Sequence, residues 1–139
     1  MLQQSAALYG NRPAFKVREE NDTFYEVSYK DMKEDVEALG TYLTEKGYKD
    51  RYIAVIGENR YEWCITYLSV VCGVGVIVPI DKELTKAEVK NLRLRSAATV
   101  VVTSGKYLED IKEMFGEINS VEHIISMDRT KDEDITYLD

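Results

Sequence analysis

The stretch "VVCGVGVIVPID" (residues 70–81) carries two glycines between apolar segments and ends in a proline and an acid. A dinucleotide-binding turn places its glycines after a strand and before a helix, so that backbone N–H groups face the pyrophosphate. Here the order is reversed, because residues 59–73 have a helical apolar pattern and residues 76–79 that of a buried strand. Ligands of open α/β sheets bind where strands end, and this turn enters one. Gly73 and Gly75 are therefore predicted to form a packing corner.

Strands and helices alternate around this corner. Four apolar segments have the composition of buried strands: "YIAVIG" (52–57), "VIVP" (76–79), "TVVVT" (99–103) and "EHIISM" (122–127). Thr85 and Glu88 form a capping-box pair that opens a helix ending at Ser96. Strands that alternate with helices at short spacing predict a parallel α/β sheet with right-handed crossovers. The tail "DRTKDEDITYLD" (128–139) is acidic and weakly patterned, and is predicted to be frayed or extended.

The first 47 residues have a different pattern. Residues 2–9 are predicted to form a short helix that ends at Gly10. The segments "AFKVRE" (14–19) and "TFYEVS" (23–28) alternate as strands do, and the turn residues at 20–22 between them predict an antiparallel hairpin. The predicted fold class is therefore α/β, a mainly parallel sheet with flanking helices preceded by a β-hairpin.

A long amphipathic helix is predicted after the hairpin. Ser28 can cap its start, and Gly47 stands where a C-terminal glycine belongs. The apolar residues at helical spacing are Tyr29, Met32, Val36, Leu39 and Leu43.

Composition bounds the function. The chain has 139 residues, enough for one domain, and a net charge of −7 that makes nucleic acid an unsuitable partner. It contains no apolar run of about 18 residues and no signal-peptide pattern, which predicts a cytoplasmic protein without a transmembrane segment. Cys64 and Cys72 would lie about 12 Å apart along one helix, too far for a disulfide, and are expected to be buried thiols.

Candidate functional residues are few. "TSGK" (103–106) follows a strand and opens a helix with Leu108, Ile111 and Phe115 on one face, but it lacks the second glycine of a phosphate loop, so Ser104 is interpreted as a helix cap. His123 has no metal-ligand spacing around it and is assigned a structural role. The segments "GENRYEW" (57–63) and "PIDKEL" (79–84) follow strands, where sites tend to lie. Asn59 as a helix cap explains the first equally well, and no catalytic, cofactor-binding or metal-binding residue is assigned.

The order of segments resembles the N-terminal part of the adenylate-forming acyl-CoA synthetases, over about residues 8–128. "VSYKDM" (27–32) is similar to that superfamily's Leu-Thr-Tyr-x-Glu-Leu motif, with Asp31 replacing Glu. "CGVGVIVPID" (72–81) is similar to the Lys-Ala-Gly-x-Ala-Tyr-Val-Pro-Ile-Asp motif, from which it departs at four positions. Those positions are Cys72, Val74, Gly75 and Ile77. The segments "GENRYEW" and "PIDKEL" are most similar in sequence to bacterial long-chain-fatty-acid–CoA ligases.

The resemblance implies an enzyme that activates a fatty acid with ATP and Mg²⁺ to an acyl-adenylate, from which CoA then displaces AMP. The family's phosphate loop reads Thr-Ser-Gly-Thr-Thr-Gly-x-Pro-Lys. Residues 103–105 begin like it and residues 106–108 do not continue it. The later nucleotide-binding motifs and the C-terminal domain with its lysine are also missing. None of the family's catalytic residues can be carried onto this chain, so no cofactor is expected on it.

Two interpretations remain at this point. In the first, residues 1–128 are the N-terminal α/β portion of a long-chain acyl-CoA synthetase, and residues 129–139 lead into the missing remainder. That fragment would be inactive alone and would form a homo-oligomer through surface that later segments normally cover. In the second, the chain is a standalone cytoplasmic α/β binding or scaffold module without catalysis.

Overall fold

A computed structural model of the chain describes residues 1–19, 21–83, 97–116, 121–132 and 135–138. Helices and strands follow one another as α1 (Leu2–Tyr9), β1 (Pro13–Arg18), β2 (Phe24–Ser28), α2 (Tyr29–Glu45), β3 (Tyr52–Ile56), α3 (Tyr61–Ser69), a π-helical turn (Val70–Val74), β4 (Val76–Pro79), β5 (Val100–Thr103), α4 (Gly105–Gly116), β6 (His123–Ser126) and β7 (Thr136–Tyr137). The predicted helix over 85–96 and the first turn residue at position 20 lie outside the described residues.

Among the described residues, five strands form one parallel sheet in the order β4-β3-β5-β6-β7. The four predicted strands are confirmed, and so is their parallel arrangement. The fifth strand, β7, comes from the acidic tail. Residues 135–138 of that tail are held in place, because Ile135 is buried and the Leu138 N–H donates to the Ser126 carbonyl at 2.9 Å.

Continuous apolar strands suit a sheet that is covered on both faces. All four residues of β5 are buried, and so are the last four of β3. On one face Val55, Val100 and Val102 pack with Leu43 of α2. On the other face Ala54, Ile56 and Val101 pack with Ile111 of α4. The core therefore lies on both sides of β3 and β5, and it holds the ends of these strands in place.

The hairpin and α2 form as predicted. Strands β1 and β2 pair antiparallel. The Ser28 hydroxyl accepts the Asp31 N–H at 3.1 Å, and the Asp31 carboxylate accepts the Ser28 N–H. These two hydrogen bonds form a capping box. The predicted core residues Met32, Val36, Leu39 and Leu43 are buried, and Tyr29 is half-buried. A third apolar cluster, with Val27 and Tyr61 among its members, joins the hairpin to α2 and α3.

The glycine corner is a packing feature, as predicted. Gly73 has a φ of 144°, which favours glycine, and interrupts the helical geometry inside the π-helical turn. A Cβ on Gly75 would lie 2.3 Å from the Arg51 carbonyl oxygen. That carbonyl accepts the Val76 N–H at 2.9 Å, so the close approach sets the entry of the chain into β4.

Two expectations for the preceding helix are wrong. The helix begins at Tyr61 after Arg60, and no side chain caps it, so Asn59 does not. Cys64 is half-buried but Cys72 is exposed, because the widened last turn directs residues 71–73 to the surface. Both cysteines are free thiols, as the predicted spacing requires.

Candidate functional site

The strand order identifies one crevice. The first strand of the sheet, β3, lies between the second, β4, and the third, β5, so the order reverses direction between β3 and β5. Ligands of open α/β sheets bind at such a reversal, outside the carboxyl ends of the strands. The segments there are the loop at residues 57–60 after β3, and Ser104 with the first turn of α4 after β5. Met127 and Asp128 follow the neighbouring strand β6. The "GENRYEW" segment therefore begins where sequence reasoning placed a candidate site, whereas residues 80–83 of the "PIDKEL" segment follow the edge strand β4.

Asp128 is the residue that connects these loops. Its Oδ1 accepts a hydrogen bond from Arg60 Nη1 at 2.7 Å, and its Oδ2 accepts the Gly105 N–H at 2.7 Å. Burial by itself raises the pKa of Asp128, but the Gly105 N–H and the Arg60 guanidinium outweigh it and hold that pKa below its usual range. Arg60 also donates to Glu62 through Nε at 2.6 Å, and these two carboxylates hold its pKa above the usual value.

Ser104 does not cap α4 through its hydroxyl. Its Oγ is buried and has no partner with normal hydrogen-bond geometry in the described parts of the chain. Instead, the Asp128 carboxylate accepts the Gly105 N–H at the start of α4.

Glu58 lies beside the Ser104 hydroxyl. Burial raises its pKa, but the Ser104 hydroxyl, a backbone N–H and the charges of Lys106 and Arg60 together lower it, so Glu58 is ionised at neutral pH.

His123 lies at the other end of the sheet, at the start of β6. Its Nε2 is 3.0 Å from Thr136 Oγ1 and 3.5 Å from the Tyr42 hydroxyl. Burial, and then the charge of Lys46, lower its pKa. These contacts join α2, β6 and β7, which agrees with a structural role and places the residue away from the crevice.

The crevice is unsuited to a polyphosphate as it stands. Two of the groups that would attract an anion, the Arg60 guanidinium and the N-terminus of α4, are held by Asp128, and the charge of Lys106 acts on Glu58. Glu58 adds a second negative charge. In the ranges that the structure covers, no three His, Cys, Asp or Glu side chains come together as metal ligands would. The arrangement ties three strand ends together.

Comparison with known proteins decides the family. The model of the AMP-binding enzyme family matches residues 2–138. The chain belongs to the AMP-binding enzyme family. Its curated relatives include the long-chain-fatty-acid–CoA ligase 5 of Rattus norvegicus, 30% identical over 105 residues, and that of Mus musculus, 33% identical over 86 residues. These matches cover 73% and 60% of the chain, but only 15% and 13% of the two relatives.

Solved structures of two other proteins share the fold. A Rhodopseudomonas palustris protein assigned as a long-chain-fatty-acid CoA ligase matches 98% of the chain with a TM-score of 0.83 at 18% identity, and the match covers 33% of that protein. The coronafacic acid ligase of Pectobacterium brasiliense matches 98% of the chain with a TM-score of 0.81 at 20% identity, over 27% of its own length. The resemblance to the adenylate-forming enzymes and the predicted fold class are therefore both confirmed.

Sequence reasoning missed Asp128. The residue follows the strand predicted over 122–127, so the strand-end rule that selected residues 57–63 also applied to it. The acidic composition of the segment that begins at Asp128 is typical of a tail, so composition alone does not indicate a site there.

No helix in the described ranges has the length and hydropathy that a membrane span needs.

Proposed function

We propose that this chain is the N-terminal segment of an ATP-dependent, AMP-forming fatty acid–CoA ligase, and that the 139 residues are inactive by themselves. The observation that carries the proposal is the family match over residues 2–138, together with a coverage of only about 15% of the long-chain-fatty-acid–CoA ligases it resembles. A cytoplasmic location belongs to the same proposal.

The reaction explains why one segment is insufficient. The fatty acid carboxylate attacks the α-phosphate of ATP and displaces pyrophosphate, and the CoA thiol then attacks the acyl carbonyl and displaces AMP. Both steps concentrate negative charge on oxygen atoms. Mg²⁺, a glycine-rich phosphate loop and a lysine are the groups that stabilise such charge. In this chain Asp128 and Glu58 occupy the crevice with negative charge of their own.

The contribution of the segment is therefore a scaffold. The parallel sheet and its two apolar faces fix the ends of β3, β5 and β6, and Asp128 joins the loops that follow them. Fatty acid, ATP and CoA would be bound by the complete enzyme.

Calorimetric titration of the 139-residue chain with Mg-ATP is the first test, and no tight binding is expected. A submicromolar dissociation constant, equivalent to about −8 kcal/mol, would contradict the proposal.

The second test uses the gene. The reading frame beyond codon 139 should encode a phosphate loop within about 50 residues, and the longer product should form AMP and pyrophosphate only when a fatty acid is present. A longer product that folds and lacks this activity with fatty acids of several lengths would overturn the assignment.

A further inference from the structure

A groove of about 570 Å³ lies between the hairpin, α2, α3 and the terminal strand β7. It is separate from the crevice at the strand ends. The residues that line it are Tyr25, Glu26, Val27, Asp31, Asp35, Ala38, Leu39, Tyr42, Tyr61, Glu62, Ile65, Thr136, Tyr137 and Leu138. Its volume is in the range that holds a small organic molecule. We call it the tyrosine groove.

The tyrosine groove has an apolar floor and aromatic walls. Val27, Leu39 and Ile65 form the floor and are buried. Tyr61 is only 8% exposed, and its hydroxyl donates to Asp35 Oδ2 at 2.6 Å, which fixes both side chains. Tyr25 and Tyr137 are exposed at the mouth, so two rings remain accessible to a ligand.

The charge of the lining has one sign. Four carboxylates line the groove, and none of the described lining residues is a lysine, arginine or histidine. Lys16 compensates Glu26 at 3.0 Å, and Arg60 compensates Glu62 at 2.6 Å. Asp31 and Asp35 form no salt bridge within the described ranges, so the groove retains negative charge beside its aromatic rings. Burial, and then the carboxylates of Glu62 and Glu19, raise the pKa of the Tyr25 hydroxyl.

We propose that the tyrosine groove binds an organic cation, an ammonium group carried on an apolar or aromatic body. Tyrosine faces attract cations, and carboxylates beside them complement the charge. One lining residue, Tyr42, already contacts a cation within the chain: Lys46 Nζ lies over its ring, 5.6 Å from the ring centre. The apolar floor accommodates the body of the ligand.

Three probes of equal length separate charge from hydrophobic contact. They are 4-phenylbutylamine, 4-phenyl-1-butanol and 4-phenylbutyrate, titrated into the 139-residue chain and followed by amide NMR shifts. The amine is expected to bind about tenfold more tightly than the alcohol, and the carboxylate more weakly than both. The amide signals that shift should be those of residues in the groove. Added salt should weaken the binding of the amine only. Equal affinity for the three probes, or no amine binding up to about 10 mM, would overturn the proposal.

Asp35→Asn is the decisive variant. The asparagine oxygen can still accept the Tyr61 hydroxyl, so the groove keeps its shape while it loses one charge. The variant should reduce the preference for the amine over the alcohol at least threefold. Glu34→Gln is the matched control, since it removes one charge from the adjacent exposed position of α2, outside the groove. An unchanged preference in Asp35→Asn, or an equal loss in Glu34→Gln, would show that the groove does not recognise the cation.

Discussion

Arg60 Nη1 lies 2.7 Å from Asp128 Oδ1, although 68 residues separate the two in sequence. The bond crosses the end of β5 and joins the loop after β3 to the loop after β6. Because the second carboxylate oxygen accepts the Gly105 N–H at 2.7 Å, one side chain connects the ends of three adjacent strands. The segments that flank the crevice are thus joined to one another by side chains of the chain itself.

Removing this carboxylate should destabilise the fold. Asp128→Ala loses the bond to the first N–H of α4 and the partly exposed ion pair with Arg60, and is expected to lower the free energy of unfolding by about 1–2 kcal/mol. Asp128→Asn can still accept the Gly105 N–H and should lose less than half as much. Urea unfolding followed by circular dichroism measures both. Equal losses in the two variants would show that the bond to Gly105 contributes little.

The same carboxylate predicts a pH dependence. The pKa of Asp128 is lower in the folded chain than in an unfolded one. Its stabilisation is therefore complete above the unfolded value of about 3.9 and is lost as the pH falls through and below it. The difference in unfolding free energy between the native chain and Asp128→Asn should be constant from pH 7 to 5 and shrink below about pH 4. A constant difference down to pH 3 would contradict the assigned shift.

His123 gives a second pH effect in a separate range. Burial and Lys46 lower its pKa in the folded chain, so the neutral ring is favoured by folding. Its stabilisation is complete above the unfolded value of about 6.5 and declines as the pH falls through that value. His123→Gln, which keeps a polar group near Thr136, should flatten the stability profile between pH 7 and 5. The Asp128 variants should leave that range unchanged, which serves as the control.

Gly75 is expected to be the least replaceable glycine of the corner. Its φ of −178° is ordinary extended backbone, so the constraint is space: an added Cβ would lie 2.3 Å from the Arg51 carbonyl oxygen. Gly75→Ala should cost about 2–3 kcal/mol of stability. Gly47→Ala is the comparison, because Gly47 has a φ of 83° with no atom within 4 Å of an added Cβ, and should cost about 1 kcal/mol. The reverse order in thermal unfolding would show that the chain near Arg51 relaxes freely.

The sequence predicted what depends on local pattern. Apolar strands such as residues 99–103 and the capping box at Ser28 follow from composition and spacing, and both are confirmed. The missed features are tertiary. Asp128, and not the Ser104 hydroxyl, accepts the N–H at the start of α4, and this depends on where β6 ends beside β5. Strand β7 is missed because it has only two paired residues. The tyrosine groove joins side chains from four elements, so no single sequence window shows it.

The remaining prediction concerns self-association of the chain. Strand β4 is at one edge of the sheet, where it pairs only with β3 within the described ranges. Three apolar side chains near this edge are about half exposed, namely Tyr52, Val71 and Val76, at 45%, 47% and 48%. An unpaired edge with apolar neighbours favours strand addition by another copy.

The net charge of −7 opposes that contact, and salt screens the repulsion. We therefore expect a homodimer or larger assembly that tightens as salt is raised, measured by light scattering at two salt concentrations. Val76→Lys places a charge on the edge and should weaken association, whereas Leu8→Lys, at an exposed position of α1, should leave it unchanged. A monomer at high protein concentration in both salts would show that the edge is protected without a partner.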